Sequence, residues 1–389
     1  MRLVIGVCIL SSLIVLAGCG GELQSQPGAG AGLPGAGAPG GAFAQWGKFS
    51  GNSKNTGYAN LPSCSGTLKW KYHVGGLPTS AVIGPDGTVY FGIQELGSGL
   101  YAVNGTTGAL KWSIPNFANF KGSMAIGNDG LLYVYIQTAL LAINTSNGNI
   151  EWQQNQVGAT TDGIGLGSDG TVYIGTAEPA IRAYNGTTGA LLWKVSVGTA
   201  GNSVVSCPAV ENDGTVYAAI SDGSIIAIRN QKGLWKRQTN FPLSQGSISV
   251  GNNGFIYVRA GLNSFLCMDS SDGTRAWTAS TNSNDKGQLI GPDGTVYVSG
   301  LNPPEVIAYN PLNGNAIRHG ALSGNIGLHA MNGSTLYAEV NDSVVSLNAS
   351  TLSINWAYQT GDFIGGPVAV GSDGSVVFPS ADGYVYALK

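Results

Sequence analysis

Apolar and polar positions alternate along most of the chain in short runs, each closed by a polar turn, and the whole phrase repeats. Its clearest copy is Pro85-Asp86-Gly87-Thr88-Val89-Tyr90, then Leu100-Tyr101-Ala102-Val103-Asn104, then Thr107-Gly108-Ala109-Leu110-Lys111-Trp112. The first turn recurs at Gly87, Gly130, Gly170, Gly214, Gly254, Gly294, Gly333 and Gly374, at intervals of 39 to 44 residues. A period of about forty, filled with β-branched and aromatic runs, predicts a propeller or a related array.

Each slot of the repeat carries a structural demand. The second strand ends on Tyr90, Tyr133, Tyr173, Tyr217, Tyr257, Tyr297, Tyr337 or Phe378, each preceded by Val, Leu or Ile. Successive side chains point to opposite sheet faces, so both faces of this strand are apolar and both need cover, as between stacked blades. A small residue follows in the third strand, at Ala102, Ala142, Ala183, Ala227, Cys267, Ala308, Ser346 and Ala387. The fourth strand brings Trp112, Trp152, Trp193, Trp235, Trp277 and Trp356, and the small residue is expected to leave space for a neighbouring indole.

The eighth copy stops at Lys389, before its tryptophan strand, and that strand appears at the front as Thr67-Leu68-Lys69-Trp70. Joining the two removes exposed edges. The expected fold is therefore all-β: an eight-bladed propeller of four-stranded antiparallel blades, closed by the N-terminal strand. Asp-Gly, Asn-Gly and Thr-Gly hairpins gather on one face of the ring. The longer connections, 115–122, 153–162, 236–245 and 278–286, gather on the other, where recognition is expected. Its candidate contact residues are Phe117, Phe120, Lys121, Lys236, Arg237 and Phe241, read as exposed aromatics and cations. Two slots depart from the pattern. Arg318 stands in a tryptophan position and Leu352 in a turn-glycine position, so blade seven is expected to dock most weakly.

Composition agrees with a turn-rich β protein, with 61 glycines, 43% apolar and 10% charged residues. A net charge of -3 without a Lys/Arg cluster argues against nucleic acid as a partner. Arg2 followed by the apolar stretch 3–17 has the form of an export signal, too short to span a bilayer. It closes on Leu16-Ala17-Gly18-Cys19, which resembles the lipobox of bacterial lipoproteins. The resemblance implies cleavage after residue 18 and acylation of Cys19, with Gly20 favouring the outer membrane, facing the periplasm or the cell surface. Residues 19–45 then form a Gly/Ala/Pro tether of about 25 to 30 Å root-mean-square length. The propeller is assigned to 46–389, with 46–65 as its lead-in segment.

The run Leu100 to Trp112, repeated as Arg182-Ala183-Tyr184-Asn185 with Thr188-Gly189 and Trp193, is similar to the pyrroloquinoline-quinone repeat. Two groups share that repeat. Quinoprotein dehydrogenases bind the quinone with calcium in a central funnel. Lipoproteins resembling the outer-membrane assembly factor BamB are non-catalytic, partner-binding propellers.

Candidate chemistry favours the second group. The alcohol-oxidising dehydrogenases carry two adjacent cysteines, whereas Cys8, Cys19, Cys64, Cys207 and Cys267 are all separate, and spacing leaves open whether Cys64 and Cys207 pair. Asp86, Asp129, Asp169, Asp213, Asp293 and Asp373 fall in the repeat turn, and His73, His319 and His329 lack metal-site spacing. No catalytic, cofactor or metal residues are assigned. The expectation is a monomeric, membrane-tethered scaffold that binds an envelope protein, in contact with membrane only through its lipid. A quinone-dependent oxidoreductase and a surface glycan- or matrix-binding module are the alternatives.

Overall fold

The computed structural model describes residues 47–389 apart from 49, 94–98, 118–119, 137–138, 156, 244–247, 262 and 282–286. The expected leader, Cys19 and the expected tether lie outside the described residues. Eight sheets are present, seven of four strands and one of five. Blade 1 comprises Val82–Ile83, Thr88–Gly92, Leu100–Asn104 and Leu110–Ile114, ordered from inside to outside. Blades 2 to 7 follow over 120–154, 159–196, 209–238, 248–280, 288–321 and 326–359. Each inner strand packs on the inner strands of both neighbouring blades, blade 8 against blade 1 included, so the ring is closed.

Strand composition tracks position in the blade. Thr88–Gly92 is buried throughout because a neighbouring blade covers each of its faces, whereas Leu110–Ile114, the outermost strand, alternates exposed and half-buried residues. Blade 8 takes Ala369–Val370, Val376–Ser380 and Tyr384–Leu388 from the C-terminus and Leu68–His73 from the N-terminus, with Trp70 directly opposite Ala387. Blade 7 gains a fifth strand, Tyr58–Ala59, parallel to its inner strand. The repeat pattern did not foresee that strand.

Tryptophans join each blade to the next except at blade 6, where Arg318 occupies the slot. Trp70 Nε1 donates to Gly105 O of blade 1 at 2.8 Å, Trp112 to Thr145 O at 2.9 Å and Trp152 to Gly186 O at 2.6 Å. Trp235, Trp277 and Trp356 likewise donate to Ser270 O, Pro311 O and Cys64 O. Trp193 packs into the apolar cluster shared by blades 3 and 4.

Space for the indoles has a different source from the one expected. Ala102 lies across from Trp112 of its own blade, and the turn glycine of the next blade supplies the room. A Cβ on Gly108, whose φ is +73°, would sit 2.9 Å from the Trp70 ring. That glycine therefore serves both the hairpin and the docking of the indole. Between blades 6 and 7 the exchange is reciprocal. Leu352 holds the glycine's left-handed conformation at φ +60°, is 3% exposed, and comes within 2.5 Å of where a Cβ on Gly320 would lie. The expected weak joint is filled from the opposite blade.

Candidate functional site

The axis of the ring holds the polar groups that do not repeat. The lead-in segment threads the channel at the hairpin-turn ends of the inner strands. Its carbonyls accept from Ile126 N (Gly47 O, 2.6 Å), Val210 N (Ser53 O, 2.8 Å), Val250 N (Lys54 O, 2.8 Å), Ile290 N (Thr56 O, 2.9 Å) and Met331 N (Gly57 O, 2.7 Å). These amides belong to blades 2, 4, 5, 6 and 7. Inner-strand ends would otherwise leave buried donors unsatisfied, so the segment closes the channel and completes the hydrogen bonding together.

Asn55 is the centre of this plug. Fully buried at φ +56°, it donates through Nδ2 to Ile248 O at 2.9 Å and Cys207 O at 3.3 Å. Its Oδ1 accepts from Lys48 Nζ at 2.6 Å, and its backbone O accepts from Ser249 Oγ at 2.6 Å. Gln288 extends the network by donating to Ser249 Oγ at 3.1 Å. Lys48 is 2% exposed. Burial pulls its pKa below the ordinary lysine value, and the Cys207 sulfur beside it partly opposes that shift. The thiols of Cys64, Cys207 and Cys267 are free and buried, so Cys64 and Cys207 do not pair.

Above the plug lies a cavity of about 490 Å³, within the range of small-molecule sites. Ser50, at a turn closed by Gly51 N to Lys48 O, reaches it from the plug. Its walls are the starts of the inner strands of blades 6 and 7, Gln288, Leu289 and Ile326 to His329, together with 364–367 ahead of blade 8. By topology these starts lie on the loop-rich side. The ionisable side chains on the wall, among the described residues, are His329 and Glu339, with His329 Nε2 3.2 Å from Glu339 Oε2.

A quinone with its divalent cation does not fit this donor set. Among the described residues no three of His, Cys, Asp and Glu converge to hold a metal ion. Among the described residues no Lys or Arg lines the cavity to balance a polyanionic quinone, and Glu339 is the single carboxylate there.

The residues proposed as a contact face do not form one cluster. Phe117 is 6% exposed and belongs to the apolar core between blades 1 and 2, because the turn at 115–116 folds its ring inward. Phe120 and Lys121 begin the inner strand of blade 2, and their side chains lie outside the described residues. Lys236 and Arg237 sit on the outermost strand of blade 4 rather than in a loop. Lys236 Nζ is satisfied by Val197 O at 3.0 Å and Asp222 Oδ2 at 3.1 Å. Phe241 packs partly buried against the core of blades 4 and 5. Among the described residues, the exposed aromatic on the loop-rich face is instead Phe363, 54% exposed in the connection from blade 7 to blade 8.

Sequence reasoning missed Lys48, Asn55, Gln288, Gly327 and Glu339. One signal was available. Two residues after the conserved-slot aromatic, the copies read Gly92, Tyr135, Gly175, Ala219, Arg259, Ser299, Glu339 and Ser380, so an acid there breaks the pattern.

The sequence profile of the family described as outer membrane protein assembly factor BamB matches residues 59–279, more than half of the chain. Among solved structures, BamB from Moraxella catarrhalis aligns with a TM-score of 0.67 at 16% identity, covering 83% of this chain and 99% of that one. A europium-containing methanol dehydrogenase aligns with a TM-score of 0.71 at 14% identity, covering 86% and 89%. The quinohemoprotein alcohol dehydrogenase from Comamonas testosteroni aligns with a TM-score of 0.67 at 15% identity, covering 88% and 80%. At such identities the structural likeness speaks for the fold alone. No curated protein matches the sequence.

Proposed function

Since the chain belongs to the family of the outer membrane protein assembly factor BamB, we propose that it is an envelope lipoprotein, anchored through Cys19, whose propeller binds another envelope protein as a scaffold in outer-membrane protein assembly. The observation that carries this reading is the difference between the two faces of the ring. On the hairpin side the turn side chains are consumed locally: Asp86 Oδ1 accepts from Thr88 N at 3.0 Å, Asn104 Oδ1 from Thr106 N and Thr107 N, and Asp293 Oδ1 from Thr295 N. Such Asx turns leave little for a partner to read. The opposite face has unequal loops and the exposed ring of Phe363.

A photo-crosslinking residue at Phe363 tests the assignment, with one at Thr106 on the hairpin side as control. The reading expects Phe363 to yield an adduct with a component of outer-membrane protein assembly in intact cells, and Thr106 none. Adducts only from Thr106 would reverse the face assignment. Cys19→Ala should abolish acyl labelling and release the protein from membranes, and a variant still labelled would remove the anchor.

A further inference from the structure

We propose that the axial cavity is a binding site for an organic cation, an ammonium or guanidinium group on an apolar stem, with Glu339 as its counter-ion and His329 as the group that aims the carboxylate. This goes beyond the scaffold reading and does not depend on it.

Two local features of blade 7 build the site. Gly327 faces Glu339 across the pair of strands. It does not have a left-handed φ, so no turn accounts for the missing side chain. Its role is room: a Cβ there would lie 2.9 Å from both Cγ and Oε1 of Glu339. The carboxylate is thus folded back over the inner strand, onto the cavity wall.

The second feature is the irregularity at His329. The register of the inner strand against its neighbour shifts between Leu328 and Ala330, leaving His329 as the extra residue. Bulges of this kind re-aim a side chain. Here the imidazole meets Glu339 Oε2 and lines the same cavity. With Oε2 3.2 Å from the imidazole, Oε1 over Gly327 is the oxygen placed to accept from a guest.

Surroundings select the guest. Among the described residues the lining includes no Lys or Arg, and its ionisable side chains are one carboxylate and one imidazole. Leu289, Ile326, Leu328, Ile364 and Pro367 supply apolar wall, and a space of about 490 Å³ accepts far more than a bare ion. An alkyl stem carrying a cationic head satisfies both features. That chemistry can come from a free amine or from a lysine or arginine side chain of a docked protein.

The test uses the full-length chain in detergent with two probes, hexylamine and the peptide acetyl-Gly-Lys-Gly-amide, and hexanol as the uncharged comparison, followed by saturation-transfer NMR and calorimetry. Binding of either cation, weakened at least tenfold in Glu339→Gln and absent for hexanol, is expected. Preference for the peptide would identify a partner side chain as the source, and preference for hexylamine a free amine. Gly327→Ala, which displaces the carboxylate without removing it, should lose the same binding. Absence of binding by both cations at millimolar concentration, or affinity unchanged in Glu339→Gln, overturns the proposal. Failure of the crosslinking at Phe363 would leave these outcomes untouched.

Discussion

Replacing Asn55 by Ala probes the plug at its most connected point. The substitution removes two donors, to Ile248 O and Cys207 O, and the acceptor of Lys48 Nζ. Each buried group left without a partner costs about 1 to 3 kcal/mol. Ala at φ +56° adds roughly 1 kcal/mol that Asn tolerates better. The expected loss is about 4 to 10 kcal/mol, a large share of the roughly 5 to 15 kcal/mol that holds most proteins folded. Guanidinium unfolding followed by tryptophan fluorescence measures it. Asn55→Gly separates the two contributions, because Gly removes the hydrogen bonds without the backbone strain, and should unfold about 1 kcal/mol less easily than Ala. Thiol labelling supplies an independent readout, since Cys207 is buried beside Asn55 and should react once the plug is released. An Asn55→Ala loss below about 1 kcal/mol, with Cys207 still protected, would refute the view that this side chain holds the channel shut.

Three further outcomes follow from the same geometry. Trp152→Ala should cost about 3 to 5 kcal/mol, because the indole is sandwiched on Gly189 and donates to Gly186 O; a loss under about 1 kcal/mol would contradict its docking role. Leu352→Gly alone should destabilise by about 2 to 4 kcal/mol, and adding Arg318→Trp should recover much of that by restoring the repeat's own joint, so strictly additive effects in the double mutant would be the contrary result. Lys48 has a folded pKa below its unfolded value, so the unfolded chain binds more protons in the interval between them and stability rises with pH there. Lys48→Met should flatten that rise at pH values below the ordinary lysine pKa, and identical profiles for the two proteins would refute the assignment.

Much of the ring was legible because repetition exposes its rules. The Tyr90 slot is apolar on both faces in every copy, and Trp70 at the front completes what Ala387 lacks at the back. The source of space for the indoles was misread because Ala102 and Gly108 are both small, and only register shows which one faces a neighbour's ring. Phe117 was misread because an aromatic in a loop has no periodicity to mark it as buried. The axial residues were hidden for a deeper reason. Lys48 and Asn55 meet Cys207 and Ile248 over separations of about 150 to 200 residues, and no local pattern encodes such a meeting. Glu339 was visible as an outlier among eight copies, but its partner His329 becomes adjacent only through a strand irregularity.

The carbonyls of residues 47–57 that accept from five blades have a consequence for biogenesis. A polypeptide leaving the ribosome delivers this stretch before any of the strands whose amides it will satisfy, and delivers Lys389, needed to pair with Thr67, only after all of them. Until Lys389 has emerged, the molecule is an open arc with two bare margins. Contacts this distant make maturation slow, so the immature form needs protection from aggregation.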